Sequence, residues 1–258
     1  MTPSAVIADV RAQLAGEPVF MAGSLVAADV HGHGDYHDVD LFCPTANVLI
    51  SVGQKLLDSG YKFGERFDRV WDRWLNYGFK TWHTNSLRLM SPGGIETNLV
   101  YKLTDGHPTT SLAQVLESFD FGLLGAGYDL KTDTFRDMRP YLFPGLSING
   151  PLPMMPNKRD NWRMGFISQY NGLREFGRYA KYHGYGYDMS AVKDDLVEGY
   201  RMAALYMSTH FDADKQKLGK IYEAIGLHIE VDNIAELTQA SKEIDFKDSL
   251  DVIMEALE

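Results

Sequence analysis

Residues 38–43, Asp-Val-Asp-Leu-Phe-Cys, set two carboxylates two positions apart in an otherwise apolar run. Such a run reads as a strand, and Pro44 closes it. Residues i and i+2 of a strand point to the same face, so Asp38 and Asp40 project side by side. Two like charges held that close repel. A buried dicarboxylate of this kind requires a cation, a shared proton or open solvent. Mg²⁺ or Mn²⁺ is the natural partner, because a hard cation is commonly held by one or two carboxylates plus substrate phosphates. The pair can then position one or two metals for in-line attack on a nucleotide α-phosphate.

The segment upstream complements this chemistry. Pro18 to Ala22 reads as a short buried strand, and Gly23-Ser24 ends it. Glycine lets a phosphate approach the backbone, while the serine hydroxyl and nearby N–H groups can bind its oxygens. The polar, glycine-rich stretch 29–37 reads as a loop. The spacing also predicts helices over 4–15, 46–59 and 110–118 and a hairpin over 79–103 that turns at Ser91-Pro92-Gly93-Gly94. A strand is expected near 121–129. From about Arg139 the chain becomes rich in proline and glycine, as a linker or wrapped connection would be. Beyond it, helices are expected over 157–183, 190–209, 213–225 and 233–256. The expected fold is α+β: a mixed sheet flanked by helices over 1–145, followed by an all-α half over 146–258.

Composition narrows the function classes. The 258 residues are 45% hydrophobic and 23% charged, which suits a folded chain with a sizeable core. A net charge of −10 argues against an extended surface for duplex DNA, since that binding depends on Lys and Arg neutralising phosphates. The single cysteine, Cys43, suits a reducing compartment. The first residues read as an amphipathic helix rather than a signal peptide, and no apolar run is long enough for a membrane span. A cytoplasmic location with no membrane partner is the expectation.

The run FMAGSLVAADVHGHGDYHDVDLFCP, residues 20–44, resembles the signature of the DNA polymerase β-type nucleotidyltransferase superfamily. That signature is an apolar strand, Gly-Ser, a loop, and Asp-x-Asp followed by apolar residues. The segments SFDFGLLGAGYD (118–129) and RYAKYHGYGYD (178–188) are similar, more loosely, to uncharacterised nucleotidyltransferase-like proteins, several of them from bacteriophages. The resemblance implies that Gly23 and Ser24 hold an incoming nucleoside triphosphate. It implies that Asp38 and Asp40 bind metal and that a third acid on a neighbouring strand completes the site. On the arm IETNLVYKL, Glu96 and Asn98 share one face, and Glu96 is the choice for that acid. If the position falls on Asn98, a ligand is missing. The implied activity is transfer of a nucleoside monophosphate to a hydroxyl on RNA, a small molecule or a protein. The alternative is a binding or inhibitory module that has lost catalysis.

Other residues admit two readings. His31, His33 and His37 suggest zinc, but a flexible loop without cysteine more often leaves histidines solvated. Arg174, Arg178 and Lys181 fall on one face of the expected long helix, either as a basic wall for the triphosphate or RNA, or as a solvated stripe. Trp71, Trp74, Tyr77 and Trp82 could stack a base, though core packing is the commoner use.

Overall fold

The computed structural model describes residues 1–64, 85–104, 107–163, 178–193 and 195–196. The chain divides into two compact units, Met1–Asn149 and Gly150–Glu258.

The first unit opens with helix α1 (Pro3–Gln13), started by the Thr2 side chain accepting from the Ala5 N–H and by proline in the first turn. Strand β1 (Phe20–Ala22), helix α2 (Ser24–His31) and strand β2 (Asp38–Phe42) follow. Helix α3 (Ala46–Asp58) is capped by Thr45, and Leu49, Val52 and Leu56 recur at helical spacing on its buried side. Next come β3 (Lys62–Phe63) and the hairpin of β4 (Asn85–Met90) and β5 (Glu96–Tyr101). The small ladder of β6 (Leu103–Thr104) and β7 (His107–Pro108) leads to helix α4 (Leu112–Glu117). Ser111 and Gln114 close a capping box at the start of α4. A 3₁₀ turn at Gly122–Leu124, strands β8 (Ala126–Asp129) and β9 (Thr134–Asp137), and helix α5 (Arg139–Leu142) complete the unit.

Seven strands form one sheet in the order β3-β4-β5-β2-β1-β8-β9. The pair β2–β5 is parallel and its neighbours β1–β2 and β4–β5 are antiparallel, so the sheet is mixed, as expected from the sequence. Strand alternation divides the side chains between two faces. On the back, Met21, Val39, Leu41, Leu87, Leu89 and Leu99 pack in one cluster with Val6 and Val10 of α1, Leu25 and Val26 of α2 and Leu49 and Val52 of α3. Each such aliphatic side chain contributes about 1.5–3 kcal/mol by leaving water. On the front, Phe20, Ala22 and Phe42 pack against Leu112, Val115 and Leu116 of α4. That smaller cluster covers only one end of the front and leaves Asp38 and Asp40 half-buried at the other.

Two sequence expectations are corrected. The segment 29–37 is not a loop throughout: α2 begins at Ser24 and continues to His31, and the irregular part is confined to 32–37. Helix formation wins because Leu25, Val26, Ala27 and Ala28 are all buried, and Gly32 in the left-handed region ends the helix. The stretch after Arg139 is not a plain linker either. It begins with α5, and Arg139 itself is completely buried.

In the second unit, helix α6 (Pro156–Arg163) is followed by described helical residues at 178–184 and 190–193. Leu152, Met154, Met155, Tyr179, Tyr182, Tyr187, Met189, Val192 and Leu196 are buried. The remainder of the helices expected over 157–256 lies outside the described residues, as do Arg174, Trp71, Trp74, Tyr77 and Trp82. Among the described residues, no helix is long and apolar enough to cross a membrane.

Candidate functional site at the front of the sheet

The strand register lines up one row of side chains across the front of the sheet. Ala22 of β1 pairs with Asp40 of β2, Asp40 with Asn98 of β5, and Asn98 with Arg88 of β4. The adjacent row sets Asp38 opposite Glu96 and Glu96 opposite Met90. Asp38, Asp40, Glu96 and Asn98 are half-buried, while Val39, Thr97, Leu41 and Leu99 between them are buried on the back. The hydrophobic demand of the back therefore fixes which residues reach the front.

Asn98 occupies the centre of this arrangement. Its Nδ2 donates to Asp38 Oδ2 at 2.8 Å and to Asp40 Oδ1 at 3.2 Å. An amide nitrogen carries two N–H donors, so one group serves both carboxylates. Glu96, the acid chosen from sequence, is engaged differently: its Oε1 lies 3.1 Å from Arg88 Nε. Among the described residues, no three His, Cys, Asp or Glu side chains are grouped to hold a metal ion. The structure thus brings Asp38 and Asp40 together and adds an amide, with Glu96 turned to an arginine.

Gly23 and Ser24 border the pair. Gly23 has φ +101°, and a β-carbon there would fall 2.7 Å from Asp40 Oδ2. Glycine is required both for the backbone conformation and for this close approach. Ser24 is buried, begins α2, and its hydroxyl lies 3.5 Å from Asp38 Oδ1. Glycine at the N-cap supplies no side-chain cap, so the opening turn of α2 presents backbone N–H groups and the positive end of the helix dipole beside the carboxylates.

The far end of α2 is held by a residue that sequence reasoning missed. Arg139, 0% exposed, donates from Nε and Nη2 to the two carboxylate oxygens of Asp137 at 2.9 and 2.8 Å. Its Nη1 meets His31 Nε2 at 2.9 Å and the Ile148 carbonyl at 3.4 Å. Burial, then the Arg139 charge and His33, push the His31 imidazole down to about 4 despite its hydrogen bond to the Leu123 backbone. Burial would raise the Asp137 carboxyl, but the hydrogen bonds and charge of Arg139 outweigh it and hold it below the ordinary range. A neutral His31 accepts from the guanidinium, which removes that nitrogen from any zinc site. The ring of His33 stands 5.8 Å from that of His31. The only hint in the sequence was Asp137-Met138-Arg139, an acid and a base at i and i+2.

Of the basic stripe, Arg178 and Lys181 belong to the second unit. Lys181 is exposed, with its ammonium 5.8 Å from the Tyr182 ring centre and 5.5 Å from that of Tyr185. When the chain is compared with known proteins, no family model matches it and neither does any curated protein.

Proposed function

We propose that the first unit is a metal-dependent nucleotidyltransferase that moves a nucleoside monophosphate from a triphosphate to a hydroxyl on RNA, a small molecule or a protein. The observation that carries this reading is that Asp38 and Asp40 share one half-buried face of β2 beside the Gly23–Ser24 opening of α2. A strand supplies negative charge for a cation, and a helix start supplies donors for phosphate oxygens, within one small patch.

The donors present fit Mg²⁺ or Mn²⁺: they are hard oxygens, with Asp38 and Asp40 as the residues that would hold the ion. Bound there, the metal would supply charge neutralisation at the triphosphate. The chain's own groups do the rest. The backbone N–H groups at Gly23 and Ser24 bind phosphate oxygens, and the Ser24 hydroxyl adds a contact. The acceptor hydroxyl bonds to the α-phosphorus, its proton leaves to solvent, and the α–β bridge breaks to release pyrophosphate. Catalysis of this kind rests on positioning and charge stabilisation. The buried Cys43 thiol suits a reducing compartment, and we place the protein in the cytoplasm.

Asn98 favours a second reading, a nucleotide-binding module without transfer, because it stands beside Asp40 where a third acid would be sought. The deciding experiment incubates the chain with each labelled triphosphate, Mg²⁺ or Mn²⁺, and total cellular RNA and protein. Label on an acceptor, lost in Asp38→Asn and Asp40→Asn, supports transfer. Nucleotide binding that survives both replacements, with no label transferred, supports the module.

A further inference from the structure

We infer that Asn98 is the positioning residue of the carboxylate pair. It holds one oxygen of each aspartate and turns the other, Asp38 Oδ1 and Asp40 Oδ2, toward the opening of α2 as the two atoms that take the divalent cation. This deepens the proposed function and rests on the metal site named there.

The geometry gives each oxygen a separate task. Asn98 Nδ2 sits 2.8 Å from Asp38 Oδ2 and 3.2 Å from Asp40 Oδ1. A carboxylate only accepts, so the atom facing two of them is the donor nitrogen and not the carbonyl oxygen. A carboxylate is also planar, so a bond to one oxygen sets the direction of the other. At Asp38 the other is Oδ1, 3.5 Å from the Ser24 hydroxyl. At Asp40 it is Oδ2, which lies over Gly23, where a β-carbon would fall 2.7 Å away. Both second oxygens thus face the two residues that open α2, and a cation can bridge them with both Asn98 bonds intact.

The pair needs such a residue because two like charges on one strand face repel and would turn apart. The β2–β5 ladder pins the amide against them, since Asn98 is the register partner of Asp40. An ionised acid at this position could not do the same work, having no proton to donate. Glu96, its neighbour on the same face, is matched to Arg88 instead. Hydrogen bonds to the carboxylates that hold a metal commonly matter almost as much as the ligands themselves.

Mn²⁺ binding by electron paramagnetic resonance tests the inference, on wild type, Asn98→Ala and Asn98→Leu, each with and without a non-hydrolysable triphosphate analogue. Circular dichroism checks each fold, and the leucine variant, close in size, stands in if alanine does not fold. Removing the amide should weaken Mn²⁺ binding about 10–100-fold. A wild-type measurement holds even if neither variant folds: on adding Mg²⁺ and the analogue, the Asn98 side-chain amide protons should stay hydrogen-bonded by nuclear magnetic resonance. Unchanged or tighter Mn²⁺ binding in a folded variant overturns the inference, as does release of those protons to solvent when Mg²⁺ binds. If Mn²⁺ binding still depends on Asp38, the metal-site reading survives alone. Absence of Mn²⁺ binding in wild type, even with the analogue, overturns both.

Discussion

Gly23 and Asp40 approach so closely that a single added carbon does not fit: a β-carbon on Gly23 would stand 2.7 Å from Asp40 Oδ2. The contact ties the β1–α2 turn to the carboxylate pair. Gly23→Ala should push Asp40 off its present position and strain a backbone at φ +101°, costing about 1–3 kcal/mol. Nucleotide binding should fall with it. Calorimetric titration with a triphosphate analogue, beside urea unfolding, checks both; wild-type values in the two assays would show that the approach is unimportant.

Asp38→Asn and Asp40→Asn should abolish transfer yet change stability by less than about 1 kcal/mol, because lost repulsion offsets a weakened hydrogen bond. An asparagine can still accept from Asn98 through its carbonyl. Urea midpoints measure this. A loss above about 3 kcal/mol would mean that the charge pair is structural.

Ser24→Ala should weaken nucleotide use about tenfold, since one hydroxyl bond to a charged group is worth about 1.5–3 kcal/mol at most and the backbone donors remain. Steady-state kinetics with the labelled triphosphate decide the point. Unchanged constants would remove the hydroxyl from the site.

Acid should loosen the clasp at the other end of α2. The folded His31 imidazole titrates at about 4 against an ordinary 6.5, so between these values the unfolded chain binds the extra proton. Stability is therefore complete above about pH 6.5 and is lost as pH falls toward about 4; because the ring is only partly shielded from water, the loss is well under the ~3 kcal/mol that an unscreened shift of this size would carry. The lowered Asp137 carboxyl adds loss in the same direction at still lower pH. His31→Gln, which can accept from Arg139 without titrating, should flatten the curve of urea midpoint against pH. A variant curve as steep as wild type would place the acid sensitivity elsewhere.

Gly127 of β8 tests the pairing beside the site. A β-carbon there would stand 2.8 Å from the Met21 carbonyl oxygen and 2.9 Å from Leu112 Cδ1. Gly127→Ala should cost about 1–3 kcal/mol by overpacking α4 against β1. A thermal melt unchanged from wild type would contradict that packing.

What the sequence disclosed follows from how local each signal is. The alternation of Asp38, Val39, Asp40 and Leu41 announced β2 and its two faces, and the Ser91–Gly94 turn announced the hairpin. Thr45 and the Leu49, Val52 and Leu56 spacing announced α3. Helix α2 was obscured because it starts on a glycine, without a capping side chain, and ends in polar residues that read as loop. Strand β9 was missed because Thr134, Phe135 and Arg136 are all exposed and show no alternation of burial. The roles of Glu96 and Asn98 turned on register: charge alone pointed to Glu96, while the ladder set Asn98 against Asp40. Arg139 was hidden for a similar reason, since its partner His31 lies 108 positions away.

The β2–β5 ladder also has a history in time. Asn98 follows Asp40 by 58 positions, and a parallel pair cannot be joined by a tight turn. At roughly 5–20 residues per second, a ribosome adds those residues in about 3–12 s. Through that interval β1 and α2 can meet β2, but one edge of β2 stays open, with both aspartates on it and no amide between them. An open edge invites mispairing, and adjacent charge is one of the features that discourages it. The same two carboxylates that would serve chemistry in the finished sheet thus guard an unfinished one until β5 arrives.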